Sequence, residues 1–139
     1  KTFSIVAGVV ILVFAGSIWW SRSMQAKAPD IISRSGIHWH PELEIFVNGE
    51  KVEIPKNKGI ERTPHSPVHT HEDLPIIHLE FSGAVRENDI RLGKWFEVWQ
   101  KDFREFGTNV SMTVNGVENA EFENYIMRDG DKIILRYSN

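Results

Sequence analysis

Residues 38–54 read HWHPELEIFVNGEKVEI, and the fold turns on how this stretch is parsed. Apolar and polar residues alternate along it. Trp39, Leu43, Ile45 and Val47 fall on one face; His38, His40, Glu42, Glu44 and Phe46 fall on the other. A period of two marks a half-buried strand, because successive side chains leave a strand on opposite sides. Asn48-Gly49 then stands between this run and Lys51–Ile54. Two residues that tolerate positive φ between two such runs signal a tight hairpin. Pro55 has no N–H to give a ladder and closes the second strand.

Downstream, residues 56–75 hold four prolines and glycines and most of the remaining histidines, which reads as a long functional loop. Ile76–Phe81 is the next strand, with Ile77, Leu79 and Phe81 toward the core and Ile76, His78 and Glu80 away from it. Leu92, Trp95, Phe96, Trp99 and Phe103 recur at helical spacing, so a helix is expected there with Gly107 as its stop. This aromatic stripe is read as core, and Glu97, Lys101 and Arg104 as the helix's solvated face. Val110–Val114, the Asn115-Gly116 turn and a weak strand over Glu121–Tyr125 follow. Asp129-Gly130 leads into a closing strand, Lys132–Tyr137. The expected class is α+β: one helix packed on a mixed or antiparallel sheet in two layers, similar in topology to the β-grasp.

Upstream, Phe3–Trp20 is FSIVAGVVILVFAGSIWW, without a charge. At about 1.5 Å per residue it is just long enough to cross a hydrocarbon core. Trp19 and Trp20 close it where an aromatic belt belongs, and Arg22 and Lys27 follow. A cleaved signal peptide is the alternative, with Val13-Phe14-Ala15 or Ala26-Lys27-Ala28 as cleavage sites. The length of the apolar run favours an uncleaved anchor, and the opening Lys1 points to residues removed ahead of it. The expected organisation is a transmembrane anchor over 1–21, a linker over 22–37 and an α+β domain over 38–139. The bilayer is then a partner through Phe3–Trp20, with the domain outside the cytoplasm, in the periplasm or on the cell surface.

Residues 29–139 carry 13 basic against 19 acidic groups, a net of −6. That argues against nucleic-acid binding, which needs a basic footprint. Cysteine is absent, which excludes disulfides, thiolate metal sites and cysteine nucleophiles. Phosphate-binding glycine loops, a Gly-x-Ser-x-Gly elbow and His-Glu-x-x-His are also missing. What remains is histidine. His38-x-His40 on a strand places two imidazoles on one face about 7 Å apart, within reach of one ion. His69-x-His71 and His78 add three more, and Glu42, Glu72 and Glu80 stand near as carboxylate support, with Glu44 and Asp73 beside them. His65 reads as a loop residue. Imidazole with carboxylate suits a divalent transition metal, copper first and zinc second, then iron. Without a nucleophile or placed base, binding or delivery is expected rather than catalysis.

Several blocks resemble a known group of proteins. They are His38-x-His40, Phe46-Val47-Asn48-Gly49, Pro67-Val68-His69-Thr70-His71-Glu72, Ile76-Ile77-His78-Leu79-Glu80, Leu92–Trp99 and Val114-Asn115-Gly116. Over residues 38–137 the chain is similar to a largely uncharacterised family of small, His-rich bacterial and archaeal envelope proteins with one amino-terminal membrane segment. The resemblance implies a membrane-tethered, extracytoplasmic module and brings no established activity or cofactor. The family often has Gly where this chain has Gln100, a departure that touches the carboxyl end of the helix. The rival expectation is a structural subunit of a membrane complex, filament or homo-oligomer. There Ala7, Gly8, Ala15 and Gly16 would let the anchor pack against partner helices.

Overall fold

The computed structural model describes residues 2–25 and 28–139. Lys1, at the head of the expected anchor, and Ala26 and Lys27, in the expected linker and in one candidate cleavage site, lie outside the described residues. The chain divides into two units, residues 1–30 and 31–139.

The first unit is one helix, α1 (Thr2–Gln25). Its Val6–Met24 stretch is long and apolar enough to cross a bilayer, and none of it is buried within the structure. Two of its serine hydroxyls are satisfied locally. The Ser17 hydroxyl donates to the carbonyls of Val13 and Phe14, and the Ser23 hydroxyl donates to that of Trp20. A hydroxyl so paired is compatible with an apolar surround.

The second unit is α+β. Its strands in chain order are β1 (Ile31–Ser33), β2 (Ile37–Trp39), β3 (Glu42–Val47), β4 (Glu50–Val52), β5 (Val68–His69), β6 (His78–Phe81) and β7 (Val85–Arg86). Helix α2 (Leu92–Trp99) follows, then β8 (Asn109–Val114), β9 (Val117–Glu118) and β10 (Lys132–Ser138). Three sheets result. A five-stranded sheet runs β4-β3-β10-β8-β9, a three-stranded sheet runs β2-β6-β5, and β1 pairs with β7. In the large sheet β10 lies parallel to β3 and antiparallel to β8. Its inner face supplies Leu43, Ile45, Met112, Ile133 and Leu135, all essentially buried. They share one core with Leu92, Trp95 and Phe96 of α2, with Val68 and Leu79 of the small sheet and with Ile77 beside it.

Both expected hairpin turns form. Asn48 and Asn115 take φ of 51° and 53°, and Gly49 and Gly116 follow at 88° and 82°. Positive φ at both central residues matches the twist of the flanking strands.

The structure departs from the sequence expectations: three sheets stand where one was expected, β1 forms within the expected linker and β5 within the expected loop, and four elements differ in extent or type. The single strand expected from His38 through Val47 is two: β2 joins the small sheet and β3 the large one. The break falls at Pro41, which has no ladder donor. Its carbonyl accepts from Ile77 N–H at 2.8 Å, while the His40 N–H turns to the Asp129 carboxylate. The strand expected from Ile76 begins at His78, and Ile76 keeps only an isolated bridge to Glu42. Helix α2 ends at Trp99, four residues short of Phe103. Gln100 adopts the left-handed conformation (φ 64°), and the Asp102 carboxylate accepts from Arg104 N–H at 2.7 Å, a local turn that competes with helix. Phe103 still reaches the core from this turn. The weak strand expected at Glu121–Tyr125 is a 3-10 turn over Phe122–Asn124, because Asn119 captures Glu121 N–H with its side-chain oxygen.

One glycine of the long 56–75 loop fixes the back of the small sheet. Gly59 has φ +90°, and a Cβ there would stand 2.8 Å from the Val68 carbonyl and 3.0 Å from both His69 Cβ and Val98 Cγ1. The loop therefore lies tight against β5, which α2 also packs against. Gly59→Ala combines left-handed strain with a backbone clash and is expected to lower stability by about 1–3 kcal/mol or more. Gly83→Ala, with no atom within 4 Å of its Cβ, is expected to stay within about 0.5 kcal/mol of the parent. Chemical denaturation of the two variants side by side checks this.

Candidate metal centre

The small sheet assembles the histidines. In its register His69 of β5 stands opposite His78 of β6, and His38 of β2 stands opposite Glu80 of β6. On the other face of the same strands Val68 pairs with Leu79, and Leu79 with Trp39. Burial of Val68 and Leu79 therefore turns the histidine face the opposite way. His40 and His71 lie just past the ends of β2 and β5, yet join the same cluster. Ring centroids are 4.7 Å apart for His38 and His40, 5.0 Å for His40 and His78, 4.6 Å for His71 and His78, and 5.5 Å for His69 and His78.

Two donor groups emerge, His69/His71/His78/Glu80 and His38/His40/His78, each with its donor atoms within 4.8 Å of one another. All five histidines singled out in the sequence fall in one or the other, and so does Glu80. Of the expected carboxylates, Glu42, Glu44, Glu72 and Asp73 do not. Glu72 is held by Lys56 and Asn57 at 3.1 and 2.7 Å, and these hydrogen bonds keep its carboxyl below the ordinary range. Glu42 lies on β3 in the large sheet and belongs to neither group. His65 lines the same open cleft of about 390 Å³ as His69, His71 and Glu80, but is in neither group.

The proton positions follow from the partners. His78 Nε2 faces both oxygens of Asp73 at 3.1 and 3.2 Å. Burial pushes the Asp73 carboxyl up, but the His78 hydrogen bond, a backbone bond and the charges of His78 and His71 outweigh it and leave it below its usual value. An ionised carboxylate only accepts, so His78 carries a proton on Nε2, and in the neutral ring the lone pair falls on Nδ1. That Nδ1 is buried and makes no hydrogen bond, and it lies 3.7 Å from Glu80 Oε1. His69 is set in the same way. Its Nδ1–H donates to the Ser66 carbonyl at 2.9 Å, which leaves the Nε2 lone pair toward His71 Nε2 at 3.1 Å. Donors sharing one tetrahedral ion at metal–ligand lengths near 2.0–2.1 Å sit about 3.3–3.4 Å apart, a spacing that these two pairs bracket.

A buried imidazole that makes no hydrogen bond through its lone-pair nitrogen carries a desolvation penalty. A carboxylate or carbonyl on the far nitrogen is the usual outer support of a metal-binding histidine, fixing its tautomer and orientation. Asp73 had no periodic relation to His78 that would single it out among nearby acids. Ser66 acts through its backbone, which leaves no mark in sequence. Comparison of the chain with protein-family profiles, curated proteins and solved structures found no match.

Burial, the largest influence on His69, lowers its pKa, against an opposing pull from the Ser66 carbonyl and Glu80. The unfolded chain thus takes up a proton near the ordinary value of about 6.5, before the folded chain does. Stability of the metal-free protein is therefore full above that pH and falls as pH drops through the window below it. The fall is expected to be shallower in His69→Gln, read from thermal unfolding between pH 5 and pH 8 (about the span of His titration). An unchanged slope in that variant would contradict the assignment.

Proposed function

We propose that this chain is a membrane-anchored module that holds a divalent transition-metal ion on His69, His71, His78 and Glu80, for binding or delivery rather than catalysis. The observation that carries the reading is His78 Nδ1. It is a buried nitrogen without a hydrogen bond, 3.7 Å from a carboxylate oxygen, with Asp73 holding the opposite nitrogen. Three neutral imidazoles and one carboxylate suit Cu²⁺ first by the Irving–Williams order, and Zn²⁺ second. Among the described residues no sulfur supports Cu⁺ at the cluster, since Met112 and Met127 are core residues and Met24 lies in α1.

In this reading α1 crosses the bilayer and the second unit faces the periplasm or the cell surface. The apolar, unburied Val6–Met24 stretch supports it, as does the polar, net acidic character of the remainder. The order β4-β3-β10-β8-β9, with β3 and β10 parallel at its centre, supports the β-grasp likeness. Kinship with the His-rich envelope family belongs to the same proposal.

The test is metal analysis of the full chain in detergent, made without affinity histidines and challenged with Cu²⁺ and Zn²⁺ together. One retained ion per chain is expected. His69→Ala/His71→Ala should lose it, and Asp73→Asn should weaken affinity by about 10–100-fold. No retained ion in the parent, or full retention in the double variant, would overturn the reading.

The structural-subunit alternative draws on α1. Nothing lies within 4 Å of a Cβ built at Gly8 or Gly16, so another helix can approach closely there. Gly8→Leu/Gly16→Leu is expected to disperse such an assembly in detergent sedimentation while leaving metal content unchanged.

A further inference from the structure

The two donor groups overlap at His78, and the manner of overlap says how an ion would move. Resting on the metal-binding reading above, we infer that the groups are two alternative seats for a single ion: an exposed receiving seat on His38 and His40, and an inner seat on His69 and His71. His78 serves both, and Glu80 of the inner group also stands beside His38.

A two-ion centre is the obvious competitor, because an imidazole can bridge through its two nitrogens. Asp73 stands against it. Both of its oxygens lie within 3.2 Å of His78 Nε2, so that nitrogen is spent on a hydrogen bond and only Nδ1 is open. One lone pair binds one ion. Occupation of either seat therefore excludes the other.

Glu80 straddles the two seats. Its Oε1 lies 3.0 Å from His38 Nε2 and 3.7 Å from His78 Nδ1. Exposure is greatest at His38 and least at His69 and His78, while His71, like His40, is half-buried. The His38 side chain is 65% exposed and that of His40 41%, against 9% for His78; His69 retains 4% of its surface. His38 is the imidazole most open to an incoming ion. The ion can then keep His78 Nδ1 and the Glu80 carboxylate while His38 and His40 leave and His69 and His71 join. The exchange changes no oxidation state, and two ligands hold the ion throughout. Run backward, the same path presents the ion on exposed imidazoles, where an acceptor can add its own ligand before the last protein ligand lets go.

The test uses the full chain in detergent, loaded with Cu²⁺ alone, with and without His38→Ala/His40→Ala. Transfer of bound copper to excess EDTA is followed by absorbance, and stoichiometry by metal analysis. The expected result is one ion in the parent, and in the variant one ion whose transfer is slower by about tenfold or more, the scale of a lost support at a metal site. Equal transfer rates would overturn the inference. So would two ions in the parent, which would make the seats independent, or loss of the ion in the variant, which would make His38 and His40 ligands of the resting ion. A parent that retains no ion removes the metal-binding reading itself and this inference with it. Circular dichroism of the variant confirms folding, which substitution of two surface side chains is expected to preserve.

Discussion

The histidine cluster depends on the pairing of β6 between β5 and β2, and that pairing is set by the face the histidines do not occupy. Leu79 lies fully buried between Val68 and Trp39, and Ile77 beside them is also fully buried. A slip of one residue would exchange the faces, exposing Leu79 and driving His78 inward. Each large apolar side chain so exposed forfeits about 1.5–3 kcal/mol. Apolar burial therefore holds the imidazoles in place before any ion arrives. This matters because clustered histidines contribute little attraction of their own and repel one another once protonated.

The supports behind the donors work in the same sense. Asp73 and the Ser66 carbonyl each fix a tautomer, so the lone pairs of His78 Nδ1 and His69 Nε2 are set without rearrangement. The Thr70 hydroxyl, between His69 and His71, donates to the Pro55 carbonyl at 2.7 Å, and Thr70 N–H donates to the Lys58 carbonyl at 3.0 Å. The segment between the two histidines is thus pinned to the loop that Gly59 presses against β5. Ligand atoms held by several independent bonds lose little freedom on binding, which is how preorganisation becomes affinity.

Much of this was legible in sequence, and the reasons differ from element to element. The Asn-Gly turns and the alternation around Leu79 are local signals, read by rules that need no tertiary contact. The grouping of His38, His40 and His78 required only that their strands be neighbours, which they are. What stayed hidden was decided at a distance. Pro41 splits its strand between two sheets because Ile77 and Asp131 compete for the backbone on either side of it; the Glu42 N–H bonds to the Asp131 carbonyl at 2.7 Å. Gln100 ends α2 although the apolar spacing runs on to Phe103, since periodicity reports burial and a turn can satisfy it as well as a helix. Glu72 looked as eligible as Glu80, and only the placement of Lys56 and Asn57 removes it.

The placement of β10 has a consequence for how the domain comes to exist. Its ladder partners β3 and β8 both precede it in the chain, and their hairpins form the two wings of the large sheet. A ribosome or a translocation channel delivers residues in order, so both wings emerge with their inner edges open and stay apart until residues 132–138 arrive. Closing them joins β3 to β10 across nearly ninety residues, a long-range contact of the kind that slows folding. During that interval the two wings lack the strand that joins them. Whatever delivers the chain, the large sheet is complete only when β10 takes its place between β3 and β8.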